Sequence, residues 1–172
     1  MRSGSVLGAM LVARASYSAG MKPRFDYIHA AAGGYRAMLG LEKFLHDCGL
    51  EESLIHLIKL RVSQINGCAF CIDMHWKDLR ALGETEQRLY SLDAWHECPF
   101  YSDRERAALL WAEACTNLAD GHVSDEVYDQ VRVHFDEQGI SNLTFVVATI
   151  NAWNRLAIPA RSAPGAYQAA KR

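Results

Sequence analysis

Apolar residues recur along most of this chain at intervals of three and four, which is the spacing of side chains on one face of an α-helix. Between residues 51 and 66 the recurring residues are Leu54, Leu57, Ile58, Val62 and Ile65. Sustained alternation of apolar and polar residues, the pattern of a half-buried β-strand, is absent from the sequence. The pattern therefore predicts an all-α fold, a single-domain helical bundle with short turns between helices.

Glycine, proline and capping residues divide this pattern into predicted helices. Gly49, Gly67 and Gly83 follow the ends of the first three, where glycine is a common cap. Ser102 and Glu105 have the spacing of a capping box at the start of a later helix. The predicted helices span residues 27–48, 51–66, 68–82, 84–95, a segment that begins at 103, 124–137 and 140–158. Two glycines at 33–34 weaken the first helix, Gly139 ends the sixth, and Pro159 stops the last.

The two ends of the chain differ from this helical region. Residues 1–20 contain two arginines, no acidic residue and a short apolar run from Val6 to Val12, a faint outline of a signal peptide. Because that run is short, we interpret residues 1–20 as an extension of uncertain status before Met21. We expect one domain over residues 21–160 and an extended C-terminal arm over residues 161–172.

Composition and charge narrow the class of protein. A length of 172 residues and a hydrophobic content of 50% suit one globular domain. The formal net charge of -2 gives no basic field, so we expect no nucleic acid partner. No apolar stretch approaches the roughly 18 residues that span a bilayer, so we expect no membrane association. Five irregularly spaced cysteines do not suit a secreted disulfide framework, and we expect a cytoplasmic protein.

The candidate chemistry lies in the segment INGCAFCIDMH, residues 65–75. If Cys68 begins a helix, Cys71 and His75 lie three and seven residues further along the same face. The positive end of the helix dipole favours a thiolate at such a position. The segment therefore supplies a dithiol and, four residues after Cys71, a group that can pass a proton.

Several kinds of site share this spacing. A c-type haem attachment needs a histidine directly after the second cysteine, where this chain has Ile72. A thioredoxin-like site needs a preceding strand, whereas the apolar pattern here is helical. A zinc site would need His96 or Cys98 to complete the ligand set of Cys68, Cys71 and His75. Two inert, buried cysteines are the remaining alternative to a redox dithiol.

The segment LIHLIKLRVSQINGCAFCIDMHWKDLRALGE resembles the core of the AhpD-like alkylhydroperoxidases, within the carboxymuconolactone decarboxylase superfamily. The segments MKPRFDY, YRAMLGLEKFL, SDRERAALLWAEA and NAWNRLAI look like the same branch, so the resemblance covers about residues 21–160. The central motif RxSQxNGCxxCxxMH is specific, and its residues here are Arg61, Ser63, Gln64, Asn66, Gly67, Cys68, Cys71, Met74 and His75.

The resemblance implies an all-α homo-oligomer, a trimer or hexamer, that reduces a hydroperoxide with a dithiol. Carried over by position, Cys71 is the thiolate that attacks the peroxide. Cys68 is the exposed sulfur that resolves the intermediate and exchanges with an external dithiol, a lipoyl domain or a thioredoxin-like protein. His75 belongs to the proton relay. We expect neither a cofactor nor a metal ion.

One position departs from the family pattern. The resemblance places a glutamate of the relay twelve residues before the first cysteine, and this chain has His56 there. His56 either replaces the carboxylate as a base or only packs on its helix. The leading hypothesis is a thiol-dependent hydroperoxide reductase with Cys71, Cys68, His75 and His56 in the site. The alternatives are a non-peroxidatic disulfide reductase or redox-sensing protein, and a zinc-stabilised structural protein.

Overall fold

A computed structural model describes residues 22–170, so the predicted extension at residues 1–20 lies outside the described part of the chain. Residues 22–170 form eight α-helices and two 3-10 helices and contain no strand, which confirms the predicted all-α fold. The helices are α1 Tyr27–Ala30, α2 Ala32–Asp47, α3 Glu52–Asn66, α4 Ala69–Ala81, α5 Glu86–Tyr90, α6 Asp103–Thr116, α7 Asp125–Val131 and α8 Glu137–Ala160, with 3-10 helices at Leu92–Glu97 and Leu118–Asp120.

The third helix, α3, lies at the centre of the bundle and packs against α4, α6 and α8. Its residues Leu57, Ile58, Leu60 and Val62 are at most 1% exposed. The apolar stripe that predicts this helix therefore faces the core, and residues between the stripe positions are buried as well. Because α3 is covered by three helices, two of its polar residues, Lys59 and Ser63, are buried as well.

A tight turn joins α3 to α4 and fixes the start of α4. Gly67 has the left-handed conformation, with φ +70°. Its N–H donates to the carbonyl of Gln64, and the N–H of Cys68 donates to the carbonyl of Ser63 at 3.0 Å. These two bonds form a Schellman motif, in which a residue with a Cβ would be strained at the glycine position. The turn leaves Cys68 as the N-cap of α4.

Helix α8 differs from its predicted boundaries. We expected Gly139 to end a helix over residues 124–137, but α7 ends at Val131 and Gly139 lies in the first turn of α8. The side chain of Asp136 accepts a hydrogen bond from the N–H of Gly139 at 2.7 Å, so the aspartate begins a new helix here. Pro159 does not stop α8 either, because the helix continues to Ala160.

Two further boundaries differ. The first predicted helix breaks at Ala31, where ψ is +48°, and not at the glycines of residues 33–34. The predicted helix over residues 84–95 is divided into α5 and the first 3-10 helix. The capping box of Ser102 and Glu105 is formed at the start of α6 as expected.

Residues 161–170 leave α8 and return along α4. The ammonium group of Lys77 donates to the carbonyls of Gly165 and Tyr167. The N–H of Gly165 donates to the carboxylate of Asp73, and the hydroxyl of Tyr167 donates to Asp78. The arm thus covers one side of α4. None of the helices in the described residues has the length and apolar character needed to cross a bilayer.

Candidate active site around Cys68 and Cys71

The two cysteines lie on the first turn of α4 and are buried. Cys68 and Cys71 are free thiols, each 1% exposed. The Schellman turn before Cys68 places its sulfur beside the backbone N–H groups of Phe70 and Cys71. The sequence led us to expect an exposed Cys68 sulfur, and that expectation is wrong, because α4 packs against α3 and α8 at this point.

The pKa values of the two thiols are shifted in opposite directions. The S–H group of Cys71 donates to the sulfur of Cys68, and this contact, with the N–H groups of Cys71 and Phe70, lowers the pKa of Cys68 against the opposing effect of burial. The same S–H···S contact, together with burial, raises the pKa of Cys71. The first thiolate to form in the reduced pair is therefore that of Cys68, with Cys71 as its proton donor.

Amide and hydroxyl groups surround the sulfurs on the side of α8. Asn154 is fully buried, and its amide donates to the hydroxyl of Ser63 at 3.2 Å. Asn66 donates to the side-chain carbonyls of Asn151 and Asn154 at 2.9 and 2.8 Å. Asn154 also lowers the pKa of both thiols. Our sequence analysis missed Asn154 as a site residue, although the segment NAWNRLAI was part of the family resemblance.

A cavity of about 300 Å³ lies beside the dithiol. Cys71 lines this cavity and Cys68 does not, so a molecule in the cavity meets Cys71 first. The wall is mostly apolar and aromatic, with contributions from α1, α2, α4 and α8; its main apolar residues are Tyr27, Tyr35, Leu39, Phe70, Met74 and Trp153.

The polar part of the cavity wall is a cluster of His56, His75 and Asp78. The Nδ1 atoms of the two histidines are 3.1 Å apart. The Oδ2 atom of Asp78 lies 3.6 Å from Nδ1 of His56 and 3.7 Å from Nδ1 of His75. His56 on α3 is therefore turned toward the dithiol helix, and the hypothesis that it only packs on α3 does not describe its position.

Burial holds both histidines neutral. Desolvation, followed by the proximity of His75, lowers the pKa of His56 to about 4. Desolvation also lowers the pKa of His75, although Asp78 opposes this effect. The Nε2 atom of His75 is buried and has no hydrogen-bond partner among the described residues. A neutral imidazole in this position can accept a proton as well as donate one.

A buried ion pair lies next to the histidines. The ammonium group of Lys59 is 2.5 Å from a carboxylate oxygen of Glu42, and the other oxygen of Glu42 accepts a hydrogen bond from Trp153 at 2.8 Å. Both charged residues line the cavity. They and Asp78 are site residues that sequence analysis missed, and only Asp78 left a signal there, since it follows His75 by three residues on the same helix face.

The zinc ligands considered from the sequence are not brought together. His96 stacks on Trp95 with ring centroids 3.6 Å apart, and its Nε2 atom is 3.2 Å from Glu113. The thiol of Cys98 donates to the carbonyl of Ser91. Neither His96 nor Cys98 joins Cys68, Cys71 and His75 in a ligand group in the described part of the chain.

Fold and site together define a class of protein: an all-α bundle with a buried CxxC dithiol at the start of a helix, beside an apolar cavity and a histidine pair. The model of the carboxymuconolactone decarboxylase family matches residues 31–114. The uncharacterized protein YdfG of Bacillus subtilis is 46% identical over 138 residues, which cover 80% of this chain and 94% of that protein.

Solved structures agree with this assignment. A crystal structure of ATU0492, a protein of unknown function from Agrobacterium tumefaciens provisionally assigned to antioxidant defence as an AhpD, has a TM-score of 0.82 and 40% identity, covering 85% of this chain and all of that one. The debrominase Bmp8 shares the fold with a TM-score of 0.70 at 20% identity, over 81% of this chain and 75% of its own. The chain belongs to the carboxymuconolactone decarboxylase family, as an AhpD-like member.

Proposed function

We propose that this protein reduces hydroperoxides with the Cys68–Cys71 dithiol, which cycles through a disulfide. The observation that carries the proposal is the division of the pair between cavity and interior: Cys71 lines the cavity, and Cys68 lies behind it as hydrogen-bond partner. An attacking sulfur must meet the substrate, and a resolving sulfur must meet the attacking sulfur. The positions of Cys71 and Cys68 fit those two tasks.

The first half of the reaction begins with a proton transfer. Cys71 passes its proton to the Cys68 thiolate along the S–H···S contact, and the resulting Cys71 thiolate attacks the terminal peroxide oxygen. The O–O bond breaks, Cys71 becomes a sulfenic acid, and the alcohol leaves with a proton from the relay. Cys68 then loses its proton, attacks the Cys71 sulfur, and water leaves as the disulfide forms. The two thiols supply the two electrons.

The relay that supplies and removes these protons consists of His75 and His56, with Asp78 beside both. His75 lies one turn after Cys71 on α4, and its Nδ1 atom is in hydrogen-bond contact with Nδ1 of His56. Asp78 balances a proton that resides on either ring, since its carboxylate is within 4 Å of both. His56 thereby takes the place of the glutamate that the family resemblance implies.

An external dithiol, a lipoyl domain or a thioredoxin-like protein, restores the reduced pair by attack on the Cys68 sulfur. Burial of that sulfur requires the start of α4 to open during this step. The burial of the Cys68 sulfur also supports a second candidate function, that of a redox-sensing protein or non-peroxidatic disulfide reductase. In such a protein the disulfide forms, but hydroperoxide is not turned over.

We also propose that the chain assembles as a homo-oligomer, a trimer or hexamer, in the cytoplasm. Two aromatic side chains support assembly: Phe44 on α2 and Phe145 on α8 form an edge-to-face pair with ring centroids 5.4 Å apart, and they are 41% and 48% exposed. Exposed apolar pairs of this kind are common in subunit interfaces.

Steady-state hydroperoxide consumption tests the proposed function. Wild-type protein is supplied with a panel of dithiol reductants and an alkyl hydroperoxide, beside Cys71→Ser and the matched control Cys115→Ser. We expect turnover by wild type and Cys115→Ser and none by Cys71→Ser. A disulfide between Cys68 and Cys71 without turnover, under every reductant, would favour the redox-sensing alternative.

A further inference from the structure

The side chains of His56, His75 and Asp78 have the spacing of metal ligands. The atoms His56 Nδ1, His75 Nδ1 and Asp78 Oδ2 are separated by 3.1, 3.6 and 3.7 Å. A point equidistant from three atoms so placed lies about 2.0 Å from each, which is the length of Zn–N and Zn–O bonds. Within residues 22–170, this is the one group of three histidine, cysteine or acidic side chains with all donor atoms within 4.8 Å of one another.

The chemistry of these donors selects one class of cation. Two imidazoles and one carboxylate suit Zn²⁺, Co²⁺ and neighbouring transition metals. Mg²⁺ and Ca²⁺ need six or more oxygen ligands, which this site does not offer. A hydrogen bond between two neutral imidazoles accounts for the 3.1 Å distance, and the carboxylate of Asp78, almost equally far from both rings, supplies the third donor of a ligand set.

Two of the three ligands, His56 and Asp78, have outer contacts, whereas Nε2 of His75 has no partner among the described residues. The Oδ1 atom of Asp78 accepts a hydrogen bond from the hydroxyl of Tyr167 at 2.6 Å, which leaves Oδ2 for the ion. The Nε2 atom of His56 lies 3.9 Å from a carboxylate oxygen of Glu52. Carboxylates behind ligating histidines and hydrogen bonds to ligating carboxylates are the usual outer contacts of metal sites. The nearby cation of Lys59 is paired with Glu42, so its repulsion of a metal ion is reduced.

All three side chains line the cavity of about 300 Å³. We propose that His56, His75 and Asp78 bind one divalent transition-metal ion of the zinc class, with the fourth coordination position open to the cavity. Sequence analysis predicted no metal because the three ligands come from two helices and share no knuckle-like spacing. Bound metal occupies the Nδ1 atoms that the proposed relay uses, so the metal-bound form and the form that transfers protons exclude each other. Metal binding is measured without peroxide and does not depend on the proposed dithiol reaction.

Cobalt titration of the tag-free, metal-free, reduced full chain tests the proposal. We expect one Co²⁺ per chain, with the visible absorption bands of a four-coordinate ion, and displacement of Co²⁺ by Zn²⁺. Loss of a metal ligand costs more than loss of an outer contact, so His56→Gln and Asp78→Asn should weaken binding by at least about 100-fold. The control His46→Gln changes an exposed histidine on α2 and should bind as wild type does.

Two further measurements keep the outcome clear. A variant with both Cys68→Ser and Cys71→Ser should retain the Co²⁺ bands, because the thiols are not ligands of this site. Zn²⁺ should raise the midpoint of thermal unfolding of wild type and leave that of His56→Gln unchanged. A thermal unfolding transition of His56→Gln also shows that the variant folds. The proposal is overturned by the absence of saturable binding, by binding that survives in His56→Gln, or by binding that is lost only with the cysteines.

Discussion

Nδ1 of His56 lies 3.1 Å from Nδ1 of His75, although the two residues are 19 positions apart in sequence. The contact joins the central helix α3 to the dithiol helix α4, and both histidines line the cavity. It connects the position where the family resemblance implies a glutamate with the histidine of the CxxC motif. A neutral imidazole here thus occupies the place of a carboxylate, and Asp78 supplies a carboxylate from α4.

Replacement of His56 tests whether this contact carries protons. His56→Gln keeps a polar side chain of similar reach that cannot accept and release a proton. We expect hydroperoxide turnover to fall by about 10²-fold, the contribution typical of a positioned acid or base. His46→Gln is the matched control on an exposed histidine. Unchanged turnover in His56→Gln would show that His75 and Asp78 suffice for the relay.

The roles of the two sulfurs are distinguished by trapping the intermediate. In Cys68→Ser, one equivalent of hydroperoxide should leave Cys71 as a sulfenic acid, because no second thiol is present to condense with it. In Cys71→Ser, the remaining Cys68 does not line the cavity and should stay reduced. Mass spectrometry after dimedone labelling reads both results. A dimedone adduct on Cys68 in the Cys71→Ser protein would reverse the assignment.

The bundle and the dithiol follow from patterns in the sequence, but the surroundings of the dithiol do not. The helical period of Leu54, Leu57 and Ile58 is local information, and it predicts α3 correctly. The neighbours that decide the chemistry, such as Asn154, are brought to α4 by packing of helices distant in sequence. Glycine was also an ambiguous signal: Gly67 ends a helix, whereas Gly139 lies inside one because Asp136 caps it.

The shared proton of the dithiol makes a prediction about pH. The S–H group of Cys71 and backbone N–H groups lower the pKa of Cys68, whereas burial raises the pKa of Cys115 to about 11. As pH rises, Cys68 should therefore be the first of these thiols to ionise. Cys71→Ala removes the S–H donor, so the pKa of Cys68 should rise. Ultraviolet absorbance of the thiolate follows the titration, and Cys115→Ala is the control.

The opposite order would contradict the structure. In that case the titration with the lowest thiol pKa would be lost in Cys71→Ala and would remain unchanged in Cys68→Ala. Cys71 would then carry the charge in the reduced pair. The proton transfer that begins the proposed reaction would then be unnecessary.

The two partners of the ion pair between Lys59 and Glu42 should differ in how much the free energy of unfolding falls when each is replaced. The side chain of Lys59 is 4% exposed and that of Glu42 is 33% exposed. Glu42→Ala leaves the lysine buried without its partner and should lower the free energy of unfolding by about 3 kcal/mol. Lys59→Met removes the buried charge and fills the space, so its cost should stay within about 1 kcal/mol.

Chemical denaturation measures both variants, beside Lys43→Ala, which breaks an exposed ion pair with Asp47. That control should leave the free energy of unfolding nearly unchanged, because solvent screens the attraction between two exposed charges. If Glu42→Ala and Lys59→Met lower the free energy of unfolding equally, the attraction between the two charges stabilises the fold. In that case the role of Glu42 is not to compensate the burial of the lysine charge.

Glu113 makes the stability of the bundle depend on acid. Burial would raise its pKa, but hydrogen bonds from Trp95, Arg61 and His96 outweigh burial and lower the pKa below its ordinary value. The unfolded chain therefore binds more protons than the folded chain just below the ordinary pKa of a glutamate, about 4.3, and stability rises with pH there. The contribution is complete above that value and is lost as pH falls through the lower pKa of the folded state.

Glu113→Gln removes this contribution at every pH. At neutral pH the free energy of unfolding of the variant should be lower than that of wild type by about 1.5 to 3 kcal/mol, the net strength of a hydrogen bond to a charged group. The difference should shrink as pH falls below about 4.3, because the wild-type carboxylate is then protonated and loses the same interactions. Denaturation at several pH values, with the exposed Glu97→Gln as control, measures the trend. A difference between wild type and Glu113→Gln that stays constant with pH would show that shape and packing at Glu113, and not its charge, stabilise the contact between α6 and the first 3-10 helix.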